Sequence, residues 1–177
     1  MEHRKLRTEE MNRMNVEAFH EAEKTPLIAV LDNVRSRHNV GAVFRTADAF
    51  RLAGVWLCGI SATPPNDEIH KTALGAEDSV SWRYFPDTIE AVRELKANGW
   101  KVYAVEQTTH SITPETFSPE GKTAVVFGHE VFGVQQEVID LSDGTIEIPQ
   151  YGTKHSLNVS VAAGIILYEL SKRLHRD

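Results

Sequence analysis

A chain of 177 residues with 41% hydrophobic and 25% charged content suits one domain with a core of its own. The single cysteine, Cys58, excludes an internal disulfide and any multi-cysteine zinc site and fits a reducing compartment, so a cytoplasmic location is expected. No apolar run approaches the roughly 20 residues of a membrane span, and the charged start from Glu2 onward does not read as a secretory leader. The formal net charge of −6 speaks against a uniformly basic nucleic-acid binder. The cations are clustered, however. Arg4, Lys5, Arg7 and Arg13 stand at the start, Arg35, Arg37, His38, Arg45 and Arg51 crowd one segment, and Lys172, Arg173, His175 and Arg176 close the chain. A local patch binds phosphates whatever the total charge.

Residues 8–24 predict an amphipathic helix with Met11, Met14 and Phe19 on one face, stopped by Pro26. Residues 27–31 (Leu-Ile-Ala-Val-Leu) are a continuous apolar run, the pattern of a strand covered on both faces. After a polar turn over 32–38, Asn39 is the expected cap of a helix in which Val40, Val43, Phe44 and Ala47 repeat at helical spacing, with Gly54 just past its end. Residues 55–60 predict a second buried strand. Residues 61–78, with Pro64-Pro65 and His70-Lys-Thr-Ala-Leu-Gly75, predict a long irregular stretch of the kind that is usually functional or mobile.

Residues 80–85 alternate as a third strand. Asp87 and Glu90 have the spacing of a capping box for a helix running to Ala97, ended by Gly99. Residues 101–105 and 122–127 predict strands four and five, the latter followed by Gly128-His-Glu-Val-Phe-Gly133 and a short helix near 134–141. Residues 145–148 predict a sixth strand, stopped by Pro149. A polar loop with Gly152 leads into a long helix over 157–170, with Ser156 as its cap. Apolar or small residues fall on every side of that helix, the pattern of a buried one, yet its start carries Ser156, Asn158 and Ser160.

Strands alternating with helices predict an α/β fold, a mostly parallel six-stranded sheet with helices on both faces. Without repeats or linkers the chain reads as one domain over 1–177, a helical extension at 1–25 and a core at 26–177. In such sheets ligands bind beyond the carboxyl ends of the strands. Three polar or glycine-rich clusters follow strands, at 35–45, 128–133 and 149–158, and parallel strands bring all three to one edge. Taken singly they read as ordinary parts: a surface arginine, a tight strand-to-helix turn, a helix cap. The Gly128–Gly133 segment lacks the Lys-Ser/Thr of a nucleotide triphosphatase loop, and no Gly-x-Gly-x-x-Gly follows the first strand. His70, His129 and His155 lack His-Glu-x-x-His spacing, so no metal is expected. His155 and Ser156 suggest a hydrolase triad, but Gly-x-Ser-x-Gly is absent.

In order, three segments resemble the signature of the SpoU family of RNA ribose 2′-O-methyltransferases, within the SPOUT superfamily. They are Asn39-Val-Gly-Ala-Val-Phe-Arg-Thr-Ala-Asp-Ala-Phe50, Val126-Phe-Gly-His-Glu-Val-Phe-Gly-Val134 and Ile148-Pro-Gln-Tyr-Gly-Thr-Lys-His-Ser-Leu-Asn-Val-Ser-Val-Ala163. The resemblance covers roughly residues 27–170. It implies a deep C-terminal trefoil knot, S-adenosylmethionine as cofactor, tRNA or rRNA as substrate, and a homodimer. It assigns catalysis to Arg45, Asn39, Glu130, Ser156 and Asn158. Cofactor binding falls to Gly128, Ile148 and Leu157, with Gly133 and Pro149 beside them. Arg35, Arg37 and His38, with Arg45, form the expected RNA-binding patch. Arg45 suits the gripping of a phosphate and of developing negative charge, and is a poor base because its pKa exceeds about 12. Position 129 is His where the family commonly has a small residue. No separate N-terminal RNA-binding domain is read in these residues. RNA recognition is therefore expected to rest on the core, the basic ends and a groove between two copies. The competing class is a non-catalytic RNA- or nucleotide-binding module on the same scaffold, against which Arg45 and Asn158 both speak.

Overall fold

Leu27, Ala29 and Leu31 belong to one buried cluster and Ile28 and Val30 to another, so the apolar run is continuous because the strand is covered on both faces. The computed structural model describes residues 3–175; Glu2 and Arg176 lie outside them. Six strands form one sheet: β1 (Thr25–Asp32), β2 (Leu52–Cys58), β3 (Trp82–Phe85), β4 (Lys101–Val105), β5 (Thr123–Phe127) and β6 (Gly144–Ile146). Their order is β3-β2-β1-β5-β4-β6, and every pairing is parallel. One face is covered by α2 (Arg37–Ala49), α3 (Asp67–Ala73), α4 (Ala76–Ser79) and α7 (Val159–Leu174), the other by α5 (Thr88–Ala97) and α6 (Gln136–Leu141). Cys58 lies in the second cluster, where burial pushes its thiol up to about 12 and leaves it an inert core group.

Several boundaries differ from the sequence expectations, each for a local reason. Residues 8–24 do not form one helix. A 3-10 turn (Thr8–Met11) ends at Asn12 in the left-handed conformation (φ 49°), and α1 (Val16–Glu21) starts anew at Asn15, whose side chain accepts from the Ala18 N–H at 2.8 Å. Asparagine tolerates the left-handed turn at 12, and at 15 its side chain takes a backbone N–H and starts a new helix. Met11 and Met14 are exposed and only Phe19 of the three is buried. Pro26 lies inside β1, where the register with β2 shifts, rather than stopping a helix.

Asn39 does not cap α2. Ser36 does, its hydroxyl accepting from the Asn39 N–H at 3.3 Å, which releases the Asn39 side chain for other contacts. Gly54 falls within β2, and the left-handed residue after α2 is Arg51 (φ 52°). Residues 61–78 are not irregular throughout: Asn66 caps α3, and α4 follows closely. Strand β6 ends at Ile146, short of Pro149. Ser156 is likewise displaced as a cap by Asn158, whose side chain accepts from the Ser160 and Val161 N–H groups. Helix α7 is buried along one stripe, through Ala163, Ile166, Leu167 and Leu170, while Val161, Ile165 and Tyr168 are exposed. It is therefore two-sided, not buried all round.

Helices α2 and α3 touch through Gly41. A Cβ there would stand 2.1 Å from Thr72 Oγ1 and 2.2 Å from the Ile69 carbonyl oxygen. Gly41→Ala is expected to lower stability by about 1–3 kcal/mol, since the backbone of α3 must move aside. A urea midpoint equal to wild type would contradict this.

Candidate active site

The three polar segments meet around Glu130 and Asn39. The Glu130 carboxylate accepts hydrogen bonds from the Arg35 N–H (3.0 Å), the Ser36 N–H (2.8 Å) and Asn39 Nδ2 (3.0 Å). Asn39 Oδ1 in turn accepts from Asn158 Nδ2 at 3.3 Å. Asn158 also accepts from the Ser160 hydroxyl and N–H and the Val161 N–H, fixing the first turn of α7. The start of α2, the turn after β5 and the start of α7 are thereby joined at the carboxyl edge of the sheet. Partial burial pushes the Glu130 carboxyl up, but the backbone N–H groups of Ser36 and Arg35 and the Asn39 amide outweigh it. The pKa is held below the usual carboxylate range.

A depressed folded-state pKa contributes stability that is present above the unfolded value and is lost as pH falls through the folded one. Glu130→Gln turns one acceptor oxygen into a donor facing N–H groups, and is expected to cost about 1 kcal/mol or more near neutral pH. That deficit should shrink only as pH falls below the usual carboxylate range and through the depressed folded-state pKa, where the wild-type carboxylate is itself protonated. Melting curves of both proteins between neutral and acid pH test this. A deficit independent of pH would contradict it.

The turn after β5 is closed by two backbone bonds between His129 and Gly133, at 3.0 and 2.9 Å. Gly128 is required by the turn's own backbone, because a Cβ would stand 2.1 Å from the Gly133 carbonyl carbon and 2.2 Å from the Val134 nitrogen. Gly133 has φ +68°, and a Cβ there would meet Glu106 Oε2 at 2.3 Å. Glu106, just past β4, also accepts from the Val134 N–H at 3.2 Å and the Gln107 N–H at 2.9 Å. It holds the far side of the turn, and sequence reasoning missed it. The signal available was its place in a polar stretch directly after a parallel strand.

These parts wall an open cleft of about 1360 Å³. Its lining includes Gly128, Glu130, Gly133, Ile148, Ser156, Leu157 and Asn158, together with Glu106 and Glu147. Among the described residues no lysine or arginine lines it. Pro149, Asn39 and Arg45 are outside the lining. Arg45 is exposed on α2 and forms no hydrogen bond or ion pair among the described residues. His38 lies seven residues before it, on the same side of the helix. Arg35, Arg37 and His38 line a separate hollow of about 480 Å³, where His38 Nε2 pairs with Glu68 at 2.9 Å. His129 and His155 line the cleft, while His70 pairs elsewhere with Glu77 at 2.6 Å. Among the described residues no helix is long and apolar enough to cross a membrane.

A parallel α/β sheet with a composite cleft at its carboxyl edge, built from three loop segments, defines a ligand-binding α/β protein of the doubly covered kind. The model of the SpoU rRNA Methylase family matches residues 26–168, and the chain belongs to that family. The tRNA (guanosine(18)-2′-O)-methyltransferase of Thermus thermophilus is 35% identical over 164 residues, covering 93% of this chain and 84% of the relative. The 23S rRNA (guanosine-2′-O-)-methyltransferase RlmB of Vibrio parahaemolyticus is 34% identical over 161 residues, covering 90% of this chain and 64% of the relative. Among solved structures, the A. aeolicus TrmH/SpoU tRNA modifying enzyme superposes with a TM-score of 0.79 at 28% identity, covering 89% and 81% of the two chains. The AdoMet-bound rRNA methyltransferase of Sinorhizobium meliloti gives 0.80 at 26% identity, covering 89% and 61%.

Proposed function

We propose that this protein is an S-adenosylmethionine-dependent methyltransferase acting on a ribose 2′-hydroxyl of tRNA or rRNA. The observation that carries the reading is the hydrogen-bonded series Glu130–Asn39–Asn158, which joins the three segments of the family signature beside one cleft. S-adenosylmethionine, when bound, supplies a methyl group carried on a positively charged sulfur. The cleft suits such a group. Glu106, Glu130 and Glu147 face it without a cation, and Ile148, Val131 and Leu157 give apolar surface for an adenine. The same lining disfavours a polyphosphate. Backbone groups at Gly128, Ile148 and Leu157 hold the cofactor, with Gly133 shaping the turn. Pro149, next to Ile148, stands outside that lining.

A ribose hydroxyl is a weak acid, so the site must stabilise negative charge as it develops. Arg45 grips the neighbouring phosphate with its fork of donors, and the phosphate takes the proton. Asn39 and Asn158, fixed by Glu130, orient the ribose, and Ser156 adds a hydroxyl from the exposed loop before α7. Arg35, Arg37 and His38 extend the phosphate-binding surface. The trefoil knot belongs to the same reading, since the segments it would draw together are those joined through Glu130, Asn39 and Asn158; the chain trace of a crystal structure tests it. A cytoplasmic location, supported by the lone buried thiol, is tested by cell fractionation.

The exposed Val161, Ile165 and Tyr168 side of α7 supports a homodimer, with a second copy covering it. Light scattering at micromolar concentration should give twice the chain mass, and the monomer mass would contradict it. The competing reading, a non-catalytic RNA-binding module, draws on the position of Arg45 outside the cleft. Incubation with methyl-labelled S-adenosylmethionine and bulk RNA separates the two. Label entering RNA supports the enzyme, and binding of RNA without label transfer supports the module.

A further inference from the structure

The turn between β5 and α6 is held at its tip by a histidine. His129 Nδ1 accepts from the N–H of Val131 at 3.0 Å and of Phe132 at 3.3 Å, and its ring packs on Phe132 with centroids 4.9 Å apart. The same pattern, from one side chain to the second and third N–H groups beyond it, occurs twice with asparagine. Asn66 accepts from Glu68 and Ile69 at 3.0 and 3.2 Å, and Asn158 from Ser160 and Val161 at 2.9 and 3.3 Å. His129 does with a ring nitrogen what those residues do with an amide oxygen. A ring nitrogen accepts only when it carries no proton, so this geometry places the proton on Nε2. Val131 and Phe132 are 71% and 84% exposed, so burial does not hold the tip. Between His129 and Val131 stands Glu130, which reaches across to Arg35, Ser36 and Asn39.

We propose that His129 is a positioning residue that sets the conformation of this tip, and thereby places Glu130 against Asn39, and that protonation of its ring releases the tip. This rests on the cleft being the site of methyl transfer. With both ring nitrogens protonated, an N–H would face two backbone N–H groups. The contacts must break, and the two exposed amides turn to water. The titratable groups that line the cleft with the turn are Glu106, which also bonds the Val134 N–H, and His110 after β4, Glu147 after β6 and His155 ahead of α7, with Glu130 on the turn itself. His110 and His155 line the cleft as His129 does, so an acid limb in an activity profile has three possible owners. Only a limb that vanishes with His129 belongs to it.

The test uses the full chain with His129→Ala and His129→Asn, following methyl transfer to bulk RNA between about pH 5 and 8. The alanine variant loses both acceptor contacts and should fall about tenfold in kcat at neutral pH. Asparagine restores an acceptor at the same spacing. That variant should run close to wild type at neutral pH and stay flat where wild type declines in acid. An alanine variant as active as wild type, an asparagine variant as poor as alanine, or an acid limb unchanged by asparagine would each overturn the proposal. If the wild type transfers no methyl group, the functional reading fails while the tip is still decided by the amide resonances of Val131 and Phe132. They should shift together as wild type is acidified and stay in place in His129→Asn; resonances unmoved in wild type overturn the proposal.

Discussion

Arg45→Ala is expected to reduce methyl transfer on the order of 100- to 1,000-fold, the usual consequence of losing one preorganised charged contact to a reacting centre. Cofactor affinity should be essentially unchanged. The division follows from where the side chain sits. Arg45 is exposed on α2, outside the lining of the cleft, so its loss does not disturb the walls proposed to hold the donor. It forms no hydrogen bond or ion pair among the described residues, so truncation strands no partner and should leave the melting temperature alone. Arg45→Lys keeps the charge but loses the planar fork that takes a phosphate through two parallel bonds, and it too should be badly impaired. A lysine variant near wild type would reduce Arg45 to one more cation of the Arg35, Arg37 and His38 patch.

Gly128→Val is expected to abolish cofactor binding, and even Gly128→Ala should weaken it about tenfold or more. The cause lies inside the turn. A Cβ at 128 meets the backbone of Gly133 and Val134 at 2.1–2.4 Å, with no flexible side-chain end to move away. Relieving that overlap means opening the His129–Gly133 bridge, which shifts the Val134 N–H off Glu106 and Glu130 off Asn39 together. Overpacking of this kind costs about 1–3 kcal/mol, and each 1.4 kcal/mol passed on to binding is a factor of about ten. Titration calorimetry with S-adenosylmethionine reads the effect directly. An alanine variant with unchanged affinity would place the cofactor away from this turn.

The strands were legible because burial leaves an unambiguous mark. Residues 27–31 and 101–105 are apolar on successive positions or alternate cleanly, and few other structures demand that. The helix starts were less so. Serine and asparagine cap equally well, so the choice between Ser36 and Asn39 is settled by which side chain the tertiary structure needs elsewhere. Asn39 is withdrawn from the cap because Glu130 and Asn158 bind it. Helix α3 escaped notice because seven residues present only Ile69 and Ala73 as a buried face. At the site, the meeting of the three segments followed from parallel topology alone. The position of Arg45 did not, since it depends on how α2 is rotated against the sheet. Nor did Glu106, which no glycine or motif announces.

The most direct test of ribose methylation uses the alkali stability of the product. RNA labelled by this protein from methyl-labelled S-adenosylmethionine is digested with alkali, which needs a free 2′-hydroxyl to cut the chain. Methylation of the ribose blocks cleavage at that nucleotide, so the label should appear in alkali-stable dinucleotides, and Arg45→Ala should leave almost none. Label recovered in mononucleotides would place the methyl group on a base and contradict the assignment of this cleft to ribose chemistry.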